Sequence, residues 1–173
     1  MENMNFWFIQ LIGALAWVIL VISYYRENTD KILVFHIIAT ILYCLHYYLL
    51  GAYMGQFICT FEIIRDFSYY KTDADKYIFV GSIPIYILLG IFTYTMPIDL
   101  LPIFSSFVDG YTLTKKKKIV VIGAIISYGL WIIYNIKVRS YAGVLTDGIL
   151  AVSNLSILLF DKGLFKGKDI RKV

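Results

Sequence analysis

Charge is what this sequence has least of. Asp, Glu, Lys and Arg make up 16% of the chain, while hydrophobic residues make up 60%. A soluble domain carries about a quarter charged residues. A chain this small has too much surface for its volume to hide so much apolar area in one core, so a water-soluble globule is excluded. Cysteine is scarce too. Cys44 and Cys59 both fall in apolar runs and lack the spacing of a zinc site or redox motif, which leaves ordinary buried packing. There is no nucleophile–base pattern, no phosphate-binding glycine loop and no HExxH. No catalytic residues, no metal and no cofactor are therefore expected, and the chain has no room for the nucleotide domain of an ATP-driven pump. No Lys or Arg precedes the first apolar run. Ala14-Leu15-Ala16 has the look of a cleavage site, but the run continues to Ile22. The N-terminus therefore reads as a permanent span and not as a cleaved signal peptide.

What is present is a succession of apolar runs, several of about 20 residues, the length that crosses the hydrocarbon core. Seven spans are expected: Phe6 to Tyr25, Ile32 to Leu50, Gln56 to Tyr70, Tyr77 to Tyr94, Met96 to Leu113, Ile119 to Ile136 and Tyr141 to Phe160. Lipid offers no partner to an unpaired backbone group, so each is expected to be a helix. The third and fifth are short and carry charges. Pro102 interrupts the fifth and reads as a hinge or cavity-lining break.

The few charges are unevenly placed. With seven spans, Lys137 and Arg139 fall on one side of the membrane and 14 Lys or Arg on the other, counting Arg65 with its nearest loop. Basic loops stay in the cytoplasm, which places the N-terminus outside and the C-terminus inside. The Lys115–Lys118 block and the basic tail follow from this topology. They require no nucleic acid as partner, and anionic lipid heads are the sharper alternative.

The first and last three spans match in layout. Tyr24 and Tyr111, Lys31 and Lys118, and Tyr47 and Tyr134 are each 87 positions apart, and Gly55 and Gly143 are 88 apart. A single span between two three-span units restores their common direction. The expected fold class is thus an all-α membrane protein of seven transmembrane helices, two parallel three-helix bundles joined by a linker helix (3+1+3). It forms one membrane domain over 1–173, with repeat one at about 5–71, the linker at about 77–94, repeat two at about 96–160 and a basic tail at 161–173.

Polar groups inside lipid are costly unless paired or facing a wet cavity, so each is a functional candidate. Glu62, Arg65 and Asp66 share a helical face with Cys59, and Glu62 lies about 10 Å past Gly55, well into the bilayer. They form either a mutually neutralised packing pair, with Arg65 reaching the cytoplasmic surface, or a charged cavity wall. Asp147 and Asn154 are two turns apart near Thr146, Ser153 and Ser156. They make interhelical hydrogen bonds or line the same cavity. His46 and Asn135 occupy comparable outer ends of the second and sixth spans, where interface hydration competes with a role at the outer mouth. His36 reads as structural and Asp109 as solvated near an inner end. Trp7, Tyr24, Tyr25, Tyr47, Tyr48, Tyr69, Tyr70 and Tyr94 suit the aromatic belt. Trp17 and Trp131 lie deeper, where they either pack or stack on a flat substrate.

Three stretches, Leu45-His46-Tyr47-Tyr48-Leu49-Leu50-Gly51, Leu100-Leu101-Pro102 and Trp131-Ile132-Ile133-Tyr134-Asn135, together with Arg65, Asp147 and Asn154, resemble the YgjV family of bacterial inner membrane proteins. The resemblance covers most of the chain and implies a multi-pass inner-membrane location. At Glu62 it leads one to expect asparagine, and the glutamate favours local charge pairing over a shared substrate. The repeat also looks like the wider SWEET and PnuC-like transporters, a likeness of fold that does not fix function. The functional expectation is a facilitative transporter of a small polar metabolite, with Glu62, Arg65, Asp147 and Asn154 around a central site, His46 and Asn135 toward the outer mouth, Trp17 and Trp131 as stacking groups and Pro102 as hinge. Membrane lipids are its other partners, and a homo-oligomer is compatible with this plan. The alternative is a non-transporting membrane ligand-binding protein or a subunit of a larger membrane complex.

Overall fold

The computed structural model describes residues 2–24, 29–72 and 74–160. The loop at 25–28, with Tyr25 and Arg26, and the basic tail at 161–173 lie outside the described residues. The described elements are helices α1 (Glu2–Tyr24), α2 (Thr29–Leu49), α3 (Tyr53–Lys71), α4 (Asp75–Thr93), α5 (Leu100–Leu113), α6 (Lys117–Lys137) and α7 (Tyr141–Phe160), with a 3-10 turn at Pro97–Asp99. Among the described residues, three stretches are long and apolar enough to cross a membrane: Lys76–Thr93, Lys117–Lys137 and Tyr141–Phe160. The apolar stretches of α1 and α2, Phe6–Ile22 and Val34–Leu49, are shorter. Helix α5 rises only about 21 Å over its length, less than the hydrocarbon core of about 30 Å.

The main helix contacts close a ring. Helix α1 packs on α2, α2 on α3, α3 on α5, α5 on α6, α6 on α7, and α7 back on α1. Helix α4 packs on α3 and α5. The solvent logic is inverted relative to a soluble protein. Leu11, Ile91, Phe92 and Leu159 are exposed, whereas His46, Arg65, Ser105, Ser106, Ser127 and Asn135 are buried. An apolar exterior suits lipid, and the polar interior is satisfied by hydrogen bonds. No deeply buried side-chain N or O atom lacks a partner among the described residues.

Two corrections concern local structure. Pro102 does not interrupt its helix. The chain turns first through Pro97–Asp99, and Pro102 is the third residue of the continuous helix α5. There its missing N–H is one that a first turn leaves unpaired in any case. The preceding connection is fixed by Asp99, whose Oδ2 accepts the Thr95 hydroxyl at 2.6 Å and the Thr95 and Met96 amides at 2.9 Å.

The second correction is register. Helices α2 and α6 end in the same tight turn. Gly51 N donates to Tyr48 O and Ala52 N to Tyr47 O, while Arg139 N donates to Ile136 O and Ser140 N to Asn135 O. Gly51 and Arg139 both take positive φ, 71° and 58°. In these two turns the matching places are held by Tyr47 and Asn135, 88 positions apart, and not by Tyr47 and Tyr134. Matching tyrosine to tyrosine ignores the turn that sets the register. Arg139 holds a conformation that costs a residue with a Cβ about 1–2 kcal/mol. Its carbonyl accepts the Gln10 amide at 2.8 Å, which helps hold it there.

Candidate functional site

A cavity of about 340 Å³ lies inside the ring, with wall residues from each of its six helices and none from α4. Its far end is sealed by aromatic rings. Tyr47 and Trp131 stack at 5.7 Å with 24° between planes, and Tyr134 meets Trp131 edge-on at 5.7 Å. Behind them, hydrogen bonds tie α1, α2 and α3 to α6 and α7. The Tyr47 hydroxyl donates to Asn135 Oδ1 at 3.0 Å, and Gly55 N donates to the Tyr134 hydroxyl at 3.0 Å. His46 sits between Ile9 O and Ser140 Oγ, each 2.8 Å from a ring nitrogen. The carbonyl can only accept, so Nδ1 carries a proton, and in the neutral ring Nε2 accepts from Ser140. Gln10 bridges Arg139 O and Ala142 N. The helices approach closely here. A Cβ on Gly143 would lie 2.6 Å from both Asn135 Nδ2 and Ser140 Oγ.

The rest of the cavity wall carries the charges. Arg65 Nε donates to Asp66 Oδ1 at 2.9 Å, and Nη1 donates to the Tyr86 hydroxyl at 2.8 Å and to Ser106 O at 3.1 Å. Glu62 Oε1 is 4.0 Å from Nη2 and accepts the Ser106 hydroxyl. Asp109 accepts the Ser127 hydroxyl at 2.6 Å, and Asp147 accepts the Asn135 amide at 2.7 Å. His46 and Asn135 at the turn end are fully buried, while Asp66, beyond Arg65 toward the C-terminal end of α3, is 33% exposed. The cavity is therefore closed at the turn end and accessible toward the end where α3 and α5 finish and the Lys115–Lys118 block joins α5 to α6.

Of the residues singled out from sequence, Glu62, Arg65, Asp147 and Trp131 line this cavity. His46 and Asn135 lie in the sealed end, fully buried. Interface hydration therefore does not explain them, nor does the aromatic belt explain the buried Tyr47. Trp17 is partly buried and Asn154 bonds the carbonyl of Leu150 on its own helix at 2.9 Å. Neither of these two, nor buried Pro102, is among the lining residues. Arg65 does not reach for the surface, because Asp66, Tyr86 and Ser106 hold it inside.

Asp109 and His36, read as solvated and structural, both line the cavity. Tyr86 and Ser106 were not singled out at all. Part of the missing signal was in the sequence. Ser105, Asp109 and Thr112 recur at spacings of four and three along an apolar helix, which marks one polar stripe.

A family model for bacterial inner membrane proteins, Imp-YgjV, matches residues 7–160 of the chain. Neither the curated proteins nor the solved structures contain a match.

Proposed function

This chain belongs to the Imp-YgjV family of bacterial inner membrane proteins, and from that premise we propose that it is a facilitative transporter of a small polar solute. In this reading it crosses the membrane seven times, with the N-terminus outside. The observation that carries the proposal is the cavity inside the helix ring, which sets ionisable side chains into a largely apolar wall and is sealed at one end and accessible at the other. Its volume falls in the usual range for small-molecule sites.

Helices α1–α3 and α5–α7 act as the two moving units, with α4 as the linker that gives them a common direction. The shared turn geometry 88 residues apart supports this 3+1+3 division. The ties at the sealed end join the first unit to the second: Tyr47 to Asn135, Gly55 to Tyr134, His46 to Ser140, and Gln10 to Arg139 and Ala142. Rocking of the units would open this end by exchanging those neutral bonds while the accessible end closes over the solute. The present arrangement corresponds to the inward-facing state.

Purified protein in liposomes should give saturable flux of a solute, abolished by Asp147→Asn in a variant that still folds. A cysteine at Asn3 should react with an impermeant thiol reagent in intact cells, and one at Lys168 only after lysis. Labelling of both from outside would refute the odd span count. A second reading, a non-transporting binding protein or complex subunit, draws on the completeness of the aromatic seal. Ligand binding without flux across a broad panel would favour it.

A further inference from the structure

Resting on the reading above, we propose that the solute is a small organic cation, an ammonium or guanidinium compound held by Asp109 and Asp147 against the aromatic wall of Tyr47 and Trp131. Among the described residues, four carboxylates line the cavity, those of Glu62, Asp66, Asp109 and Asp147, against a single guanidinium, Arg65. That guanidinium is already engaged. It bonds Asp66 at 2.9 Å and lies 4.0 Å from Glu62.

Asp109 and Asp147 are different. Each receives one hydrogen bond, through Oδ2, from a neutral donor, Ser127 or Asn135. Neither pairs with a cation among the described residues. Their Oδ1 atoms accept no bond there, yet no sealed, unpartnered side-chain oxygen remains among the described residues. These oxygens are therefore in accessible space, and both residues line this cavity.

The rest of the wall agrees with this balance. A desolvated carboxylate is costly unless a cation meets it. A neutral polyol would donate hydrogen bonds to both but leave their charge unbalanced, and an anion would add to the repulsion. The wall also carries the rings of Tyr43, Tyr47, Tyr128 and Trp131, and an aromatic face attracts an alkylammonium or guanidinium group. A cavity of about 340 Å³ with an aromatic end suits an organic cation better than a bare metal ion.

The test uses the purified full-length protein and calorimetric titration with choline, ethanolamine and methylguanidine. The comparison probes are 3,3-dimethylbutan-1-ol (the uncharged carbon analogue of choline), xylitol and lactate. Saturable binding of at least one cation is expected, with none for the comparison probes. Asp147→Asn and Asp109→Asn should each weaken binding about tenfold or more. Asparagine keeps the shape, and Asp109→Asn carries the test alone if Asp147→Asn fails to fold. Equal binding of the uncharged analogue, unchanged affinity in the folded variants, or no binding of any of the three cations would overturn the assignment. Flux measured in parallel separates the two claims. Cation binding without flux supports the ligand class and sinks transport, whereas saturable xylitol flux without cation binding keeps transport and sinks the ligand class.

Discussion

The two ends of the cavity are held together by different chemistry. At the sealed end, neutral groups tie α1–α3 to α6 and α7 through single hydrogen bonds. At the accessible end, a buried guanidinium clasps α3, α4 and α5 at once, through Asp66, Tyr86 and Ser106. Interhelical hydrogen bonds between neutral groups in membranes average about 0.6 kcal/mol, whereas breaking a buried ion pair from one side costs about 3–5 kcal/mol. The difference teaches where motion is cheap. The sealed end can exchange its bonds one at a time. In the proposed rocking, the α3–α4–α5 seam is where the two units would stay joined, which makes it the natural pivot.

The strongest way to break this comparison is Arg65→Leu. It strands Glu62 and Asp66 and removes the donor to Tyr86 and Ser106. Destabilisation of about 3–5 kcal/mol is expected, read as a large drop in melting temperature in detergent. A double-mutant cycle sharpens it. Coupling of Arg65 to Asp66, at 2.9 Å, should exceed coupling to Glu62, at 4.0 Å. Reversed coupling would restore Glu62 as the main partner, as sequence spacing alone suggested, and equal coupling would leave no main partner.

Next in size is Gly143→Ala. The added methyl would meet Asn135 and Ser140 at 2.6 Å, and neither belongs to a flexible surface side chain. Overpacking of this kind costs about 1–3 kcal/mol. If the sealed end yields as easily as proposed, the loss should stay at the lower bound and binding at Asp147 should survive. A loss matching that of Arg65→Leu would mean that the two ends are equally rigid.

This contrast also explains what was legible in the sequence. The charged cluster was, because Glu62, Arg65 and Asp66 are linked by helical spacing within one element. The helices were legible from hydropathy, apart from the entry to α5, where Asp99 caps a 3-10 turn that apolar runs do not encode. The sealed end was legible only in part. His46 and Asn135 stood out as polar groups in lipid, but their burial depends on partners 94 and 88 positions away. Asn154 stood out for the same reason and yet satisfies itself on its own helix. Polarity marks a residue as costly; whether a cavity, another helix or its own backbone meets that cost is decided in three dimensions. Asp109 was read as solvated because it lies near a span end, a reading that ignored the polar stripe it shares with Ser105 and Thr112.

The smallest expected effect separates gating from folding. Tyr47→Phe keeps the ring on Trp131 and removes only the hydroxyl that donates to Asn135 Oδ1. Asn135 is fully buried and retains its bond to Asp147, so the variant leaves one acceptor unmatched. The cost should be about 1 kcal/mol, at the low end for an orphaned buried group. If the lost bond belongs to a closed state, that free energy shifts the population toward an opening of the sealed end by about fivefold. The readout is alkylation from outside of a cysteine at Thr146, which lines the cavity, in protein with Cys44 and Cys59 replaced. Faster labelling, with the melting point only slightly lowered, is the outcome expected of a latch. A lower melting point with unchanged labelling would make the Tyr47–Asn135 bond a structural tie within a permanently closed end, and the pivot at the Arg65 clasp would then have nothing to open.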